Sequence, residues 1–409
     1  MLDLSPQTAA VHPRAALGDA PSTLWMAVEN SLRKNFENPD IEAAKLLFAS
    51  VAAHRIVQYP PAWRMAIAPS GSMKTALLDT LQDLPSVHFV DEVTTNTFIS
   101  GYTGKQEQSE KKKQREKKPR AHASYLHRLG QEAILIAADF STVLAMDKRK
   151  RPVILAQLRR IYDGHFSREF GTGENLSEST WKGRLTLLAG VTPEVDKHFT
   201  LLQSLGERFV RVRWPRAGGV STGLRAIRQQ SSVATELRAA VHELLWPILP
   251  QEAVPAPEMD SVFEGGVAHL GELVALARAQ VSRTRERHEL DAEPAPEGNT
   301  RLPQQLAQIG RGWAVIERSP RVTEAGMRLI RRAAFDCIPP SRCAALRALI
   351  DGRSPYSAEL PPVLINRALE DLKLVGLVEK PKNGNAGLSP LAVELLHGAG
   401  VAFPQSGRE

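Results

Sequence analysis

The sequence predicts an α/β protein: a parallel sheet flanked by helices, then a helical lid, then a small C-terminal winged helix. Three observations carry this. Between Trp63 and Val212, short apolar runs of strand length alternate with stretches of helical periodicity. Beyond Pro215 the strand signal stops, and apolar residues recur at spacings of three and four. After Pro340, helix signals are followed by Leu377–Lys380, the turn PKNGNAG, and Leu388-Ser389, in the order helix, strand, wing, strand. The expected units are an N-terminal helical segment (1–58), a sheet core (59–218), a lid (219–338) and the winged unit (339–400).

Residues 1–22 are rich in Ala, Pro and Ser and read as loose. A helical pattern runs from Ser22 through Leu24, Val28 and Leu32, breaks at Asn38-Pro39-Asp40, and resumes with Asp40 as N-cap. Pro60-Pro61 end that second helix, and Trp63–Ile67 reads as a buried strand. A turn and a helix over Thr75–Leu84 lead to a second strand at Val87–Val90. Lys105–Arg120 then holds six Lys and two Arg against three Glu, a net +5 with no apolar period, so it is expected to be a solvated loop. Ile134–Ala137 is the third strand, Pro152–Tyr162 a helix, Asp163–Lys182 a polar hairpin, and Arg184–Ala189 and Phe209–Val212 further strands. Lid helices are expected near Gly223–Leu245, Val267–Glu289, Arg301–Glu317 and Thr323–Cys337. The winged unit would hold helices at Arg342–Leu349, Ser357–Leu360 and Val363–Leu374, the last capped by Gly376.

Composition bounds the function. Apolar residues make up 43% and charged residues 24%, a globular balance. Aromatics are only 6%, which argues against a stacking-rich binder of single strands. The net charge of +7 suits an anionic partner. Two cysteines, Cys337 and Cys343, exclude a disulfide framework and a Cys-rich zinc site. The start MLDLSPQTAAVHPR shows no signal pattern, and no apolar run reaches the ~18–20 residues of a membrane span, so a cytoplasmic location is expected.

The turn Ala68-Pro69-Ser70-Gly71-Ser72-Met73-Lys74-Thr75 sits between an apolar strand and an amphipathic helix, where a phosphate loop belongs. Such a loop converges backbone N–H groups on an anion, brings a Lys to the terminal phosphates and a Ser or Thr hydroxyl to magnesium. Ala68 and Met73 stand where GxxxxGK[ST] has glycine, and Met73 matters more because glycine's conformational freedom is lost there. The competing reading is a Lys-Thr pair at an ordinary helix start. An acidic residue ending an apolar strand should complete the magnesium site, and Asp139 does so, 65 residues after Lys74. Asp91-Glu92 competes, only 17 residues after Lys74, with Glu92 in reserve for activating water. Phe140 stands where a catalytic Glu is usual.

In this order the elements resemble AAA+ ATPases, in particular the branch of minichromosome-maintenance-like helicases and related phage and mobile-element ATPases. The resemblance spans about Pro60 to Ser389. Ala68–Thr75 resembles the Walker A loop, and Ile134–Phe140 the Walker B strand. Leu187–Pro193 resembles the sensor 1 strand, with Thr192 at its polar position. Ser204–Phe209 resembles the arginine-finger segment, and Thr300–Leu306 the start of a sensor 2 helix. Phe98–Gly101, Asp139–Leu144 and Ile161–Gly164 are similar to phrases of a phage-type subgroup in which Asp-Phe is normal. The resemblance implies ATP and Mg2+ as ligands, with Lys74 on the phosphates, Thr75 and Asp139 on the metal, and Thr192 near the attacking water. It also implies Arg208 and Arg301 as γ-phosphate sensors and a homo-oligomeric ring, such as a hexamer.

DNA, single- or double-stranded, is the expected partner, with no membrane. The 105–120 loop could neutralise phosphates or merely solubilise. The hairpin resembles the pre-sensor 1 hairpin of this branch, which implies His165, Arg168 and Lys182 as DNA contacts. In the winged unit, Asn366, Arg367, Glu370, Asp371 and Lys373 point outward by periodicity, and Lys380 and Lys382 lie in the wing. That mixture suits DNA or protein. The expected function is therefore an ATP-dependent, helicase-like enzyme of phage or mobile-element replication. The alternatives are a nucleotide-switched DNA-binding scaffold or loader, and an ATP-dependent transcription regulator.

Overall fold

The computed structural model describes residues 21–98, 124–172, 175–198, 202, 208–216, 218–228, 232–284, 290–379 and 386–402. The 105–120 loop, Lys380 and Lys382 lie outside the described residues.

Helices α1 (Pro21–Asn35) and α2 (Ile41–Ala52) open the chain, joined through Asn38 at φ +45°. Asp40 caps α2 as expected, its carboxylate accepting the Ala43 N–H at 3.0 Å. Then follow β1 (Arg64–Ile67), α3 (Lys74–Asp79), β2 (Val87–Phe89), α4 (Tyr125–Leu129) and β3 (Glu132–Ala137). Next come α5 (Ser141–Ala145), α6 (Lys150–Tyr162), the hairpin β4 (His165–Thr172) and β5 (Asn175–Lys182), β6 (Arg184–Val191) and β7 (Val210–Arg213).

Five strands form one all-parallel sheet in the order β2-β3-β6-β1-β7. Alternate residues enter different cores. Ala66, Ile134, Ile136, Leu188, Val210 and Val212 face one, and Met65, Ile67, Leu135, Leu187 and Val191 the other. Burial on both faces is why β3 and β6 read as nearly continuous apolar runs. The chain leaves β1 toward the β2 edge and then returns β2, β3, β6, β7 in the opposite direction. Right-handed crossovers therefore put α3 on one face and α4–α6 on the other. The cores agree: Leu77 and Leu78 of α3 belong to the first, Ile154, Leu155 and Leu158 of α6 to the second.

The later chain is helical: α7 (Val220–Arg228), α8 (Ser232–Leu245), α9 (Ser261–Ala277), α10 (Arg301–Ile316) and α11 (Glu324–Asp336). The C-terminal unit holds α12 (Pro340–Ile350), α13 (Pro362–Leu374), the ribbon β8 (Val378–Glu379) with β9 (Gly387–Leu388), and α14 (Pro390–Gly398). The first core draws on all four expected units, from Leu24 in α1 to Leu396 in α14.

Several expectations shift. The helix expected over 223–245 is two helices, α7 and α8. That expected at 267–289 begins at Ser261 and stops at Ala277, because Gln280 and Arg283 turn to pair with Ala295 and Leu290. The short helix at 357–360 is instead a single 3-10 turn, Pro355–Ser357. Asp371 does not point outward: it is 7% exposed and paired with Arg342 at 2.8 Å and Arg283 at 2.5 Å. Helix α14 was not foreseen, although Ser389 caps it and Pro390 stands at its first position. Both cysteines are free thiols. No described helix is long and apolar enough to cross a membrane.

His54, beside the N-terminal end of β6, is fully buried, with Nδ1 at 2.9 Å from Thr186 Oγ1. Burial, then the nearby Arg184 and Arg55 guanidinium groups, push its imidazole well below the usual 6.5. The folded protein therefore holds His54 neutral while the unfolded chain protonates it, so stability falls as pH drops below about 6.5. The slope contributed is at most ~1.4 kcal/mol per pH unit. Melting curves of wild type and His54→Gln between pH 7.5 and 5 test this. The variant should lose less stability on acidification, and an equal loss would clear His54 of the effect.

Candidate functional site

The C-terminal edge of the sheet carries Lys74, Thr75, Asp139 and Thr192, four of the residues expected to act on nucleotide. The loop after β1 is held down by Ala68 N–H to Val191 O, 3.1 Å, and turned by Ser72 N–H to Pro69 O, 3.2 Å. Its left-handed residue is Gly71, at φ +78°. Met73 is right-handed (φ −56°, ψ −12°), and its side chain is buried in the first core. The glycine missing at Met73 therefore carries no backbone strain, since Gly71 makes the turn. Lys74 opens α3, is 8% exposed, and donates from Nζ to Val191 O at 3.2 Å. Burial lowers its pKa, and the Asp139 carboxylate opposes that shift, which puts the two side chains within Coulombic reach.

Asp139 leaves β3 exposed to solvent, and Phe140 N–H donates to Gly190 O at 2.7 Å. Gly190 has no side chain for a reason: a Cβ there would overlap the Ala138 carbonyl. This close approach seats Asp139 beside the end of β6. Phe140 is 1% exposed, with its ring 5.9 Å from Phe209, so it is a core residue. Thr192 follows β6, half-buried, its N–H donating to Ser141 Oγ at 3.1 Å. Strand order ranks the two acidic candidates. β3 is two strand positions from β1, roughly 10 Å, whereas β2 with Asp91 and Glu92 is three away, roughly 14 Å. Thr75 is exposed on the first turn of α3.

A cleft of about 170 Å³ adjoins the loop on the β7 side, lined by Glu37–Asp40, Ser72, Met73, Trp214, Arg216 and Thr222 among others. Trp214 is 6% exposed, and its indole Nε1 is buried without a hydrogen-bond partner. The sequence reading passed over Glu37, Trp214, Arg216 and Thr222. The Asn38-Pro39-Asp40 break was visible, but nothing in the sequence paired it with the segment after β7.

Arg208 and Arg301 are not at this edge. Arg208 precedes β7, at the N-terminal end of the sheet, a strand length or roughly 13 Å from the loop. Its guanidinium lies 3.4 Å from the Asp163 carboxylate and 5.7 Å from the Tyr162 ring. Burial, then Arg301, lower its pKa, with Arg159 adding to the effect and Asp163 opposing it. Arg301 and Arg159 thus lie within Coulombic reach of Arg208, and Arg159 was missed by sequence reading. Gln305 of α10 also bonds the Arg208 carbonyl.

The hairpin rises from the same end. His165 and Lys182 face each other at its base, not its tip, while Phe166 and Trp181 anchor it in the second core. Arg168 bonds Asn96 Oδ1 at 3.2 Å. On α13, Asn366, Arg367, Glu370 and Lys373 are exposed as expected, but so are Val363, Leu364 and Leu374. Among the described residues no cluster of three His, Cys, Asp or Glu could hold a metal. Thr75 and Asp139 suit magnesium, which takes one or two protein oxygens and fills its remaining positions with water and phosphate. No protein-family model and no curated protein matches the chain.

Two glycine substitutions test the site's construction. Gly71→Ala should cost ~1–2 kcal/mol, since a Cβ is placed in the left-handed region. Gly190→Ala should cost ~1–3 kcal/mol through overlap with the Ala138 carbonyl. Urea midpoints measure both, and wild-type midpoints would rule out these backbone placements.

Proposed function

We propose that this chain is a P-loop ATPase of the AAA+ type that works on DNA, with helicase-like action in replication of a phage or mobile element. The observation that carries it is the placement of Lys74 and Asp139 within Coulombic reach at the C-terminal edge of the sheet, with the strand bearing Thr192 inserted between theirs. The connections leave β1 and β6 toward opposite faces, and ligands of open α/β sheets bind in the crevice this creates.

In this reading the loop N–H groups and Lys74 neutralise the β- and γ-phosphates. Magnesium, held through Thr75 and Asp139, would supply charge neutralisation between those phosphates. Thr192 lies beside this place with its backbone fixed by Ser141, so its hydroxyl can orient the attacking water. The base and ribose extend into the cleft beside Met73, between Trp214 and Arg216. Arg208, Arg301 and Arg159 lie too far from their own loop to reach its nucleotide. Their role requires a neighbouring copy whose nucleotide faces this edge, hence a ring. The hairpin at the same edge, and α13 with its ribbon, are the proposed DNA contacts, with the exposed α13 apolar residues also fitting protein.

Phe140 supports a second reading. Because it is core, no carboxylate directly follows Asp139, and Asp91 and Glu92 lie beyond the edge strand β2, three positions from β1. A switch that binds ATP and hydrolyses it slowly would need nothing more.

Titration with ATP–Mg2+ and turnover with and without single-stranded DNA separate these readings. Lys74→Ala should weaken nucleotide binding at least ~10-fold, as loss of a charge-assisted contact worth ~1.5–3 kcal/mol requires. Unchanged affinity would remove the site. Arg208→Ala should bind ATP normally yet lose turnover, and mixing it with Lys74→Ala should restore some activity through mixed interfaces. Failure of the mixture to recover activity, with both proteins assembled, would count against action in trans.

A further inference from the structure

Thr192 is held by more than its strand. Its carbonyl accepts the Val195 N–H at 3.1 Å, opening a 3-10 turn over Pro193–His198 that carries Asp196. Asp196 grips Arg213 at the end of β7 with both oxygens: Oδ2 accepts from Nη1 at 2.8 Å and Oδ1 from Nη2 at 2.7 Å. Arg211 adds a 3.4 Å contact to Oδ1. Asp196 thereby spans β1, which lies between β6 and β7, just above the place where the phosphate loop departs.

Arg213 is itself fixed. Its N–H donates to Asp336 Oδ2 at 3.0 Å and its Nε to Asp336 O at 2.9 Å. Asp336 accepts from Arg332 Nε at 3.2 Å, and Arg332 Nη2 donates to Arg213 O at 2.8 Å and to Asp40 Oδ2 at 2.7 Å. Asp40 caps α2 and lines the cleft. One unbroken chain of charge-assisted bonds therefore runs from the cleft wall, through the end of α11, to the turn that carries Thr192. A structural staple needs no such route. Its bidentate geometry fixes orientation as well as distance, which is what a residue aiming a water molecule requires.

We propose that Asp196 is a positioning residue for Thr192, and that the chain Asp40–Arg332–Asp336–Arg213–Asp196 ties this placement to the cleft. The proposal rests on the nucleotide reading above for its chemistry, though not for its geometry. Asp196 touches no nucleotide; it acts through the turn. Removing its charge should loosen residues 192–198 and leave the loop around Lys74 as it was.

The test uses the full chain as wild type, Asp196→Asn and Arg213→Lys, the last keeping charge while losing the planar fork. Hydrogen–deuterium exchange is read on peptides covering 191–198 and 70–79, and ATP–Mg2+ binding and turnover on the same samples. Both variants should exchange faster at 191–198 only. Turnover should fall roughly 10- to 100-fold, the cost of a misplaced reacting group, with the Kd for ATP within about twofold. The double variant should lose no more than the worse single one, as members of one network do. Unchanged exchange at 191–198 would overturn the proposal, whatever the turnover. So would faster exchange with full turnover, or equal losses in affinity and turnover. Wild type that fails to bind ATP would overturn the nucleotide reading instead, and the exchange comparison would still decide whether Asp196 holds the turn.

Discussion

Insertion of β6 between β1 and β3 constrains nearly everything else in this molecule. Parallel strands buried on both faces must be joined by crossovers of one hand, so strand order dictates which face each helix covers. With β6 beside β1, the chain leaves the two strands in opposite directions and opens a gap at their C-terminal ends. Lys74 fills part of that gap and is buried by it, with Val191 O as its only hydrogen-bond acceptor among the described residues. An ammonium held this way is aimed in advance. The same insertion sets Gly190 directly against the exit from β3, and the side chain absent there lets Asp139 sit near enough to matter.

The sheet's other edge is protected rather than open. β7 is an outer strand, and its outward N–H groups at Arg211 and Arg213 meet Cys337 Sγ at 3.4 Å and Asp336 Oδ2 at 3.0 Å. An exposed edge invites pairing with other chains, and α11 closes it. Charged groups taken inside are also answered locally. Arg184 donates to the carbonyls of His54, Tyr59 and Ile56, all in the segment between α2 and β1, so the sheet's N-terminal end and the first helices are pinned together. The later helices continue the same core, since Trp313 of α10 packs edge-on against Trp25 of α1 at 5.1 Å. Helices far apart in sequence thus share one interior with the strand that carries the loop.

Local features were legible in the sequence, and long-range ones were not. Asp40 as a cap, and the start of α10 at Arg301, follow from chemistry within one helical turn. The strands were legible from short apolar runs, clearest in β3 and β6, which are buried on both faces. Their order was not, because pairing is decided by contacts between distant segments. Asp371 looked outward by periodicity, yet Arg283, far away in sequence, reaches it and makes burial tolerable. Met73 looked like a defect because a motif fixes glycine by position, whereas geometry asks only that some residue turn left-handed, and Gly71 does. The cleft stayed hidden because its walls, the α1–α2 turn and the segment after β7, are joined only by folding.

The positions of the two charged groupings bear on what a single copy can do. Phosphoryl transfer needs cations on the γ-phosphate from more than one side, and a guanidinium supplied from outside the loop is the usual source. Here Lys74 sits at one end of the sheet, while Arg208, with Arg301 and Arg159 close enough to shift its pKa, sits at the other. No loop movement closes a gap spanned by a rigid strand. Such a distribution is wasteful in a monomer, since Arg301 and Arg159 both disfavour the charge on Arg208. It becomes economical in an assembly where each copy presents its arginine edge to the next copy's loop. Head-to-tail contacts of that kind either close into rings or run on as filaments, and the hairpin rooted beside Arg208 would then lie along every such junction. Coupling between nucleotide and DNA would need no relay through the body of one subunit: it would arise where two subunits meet.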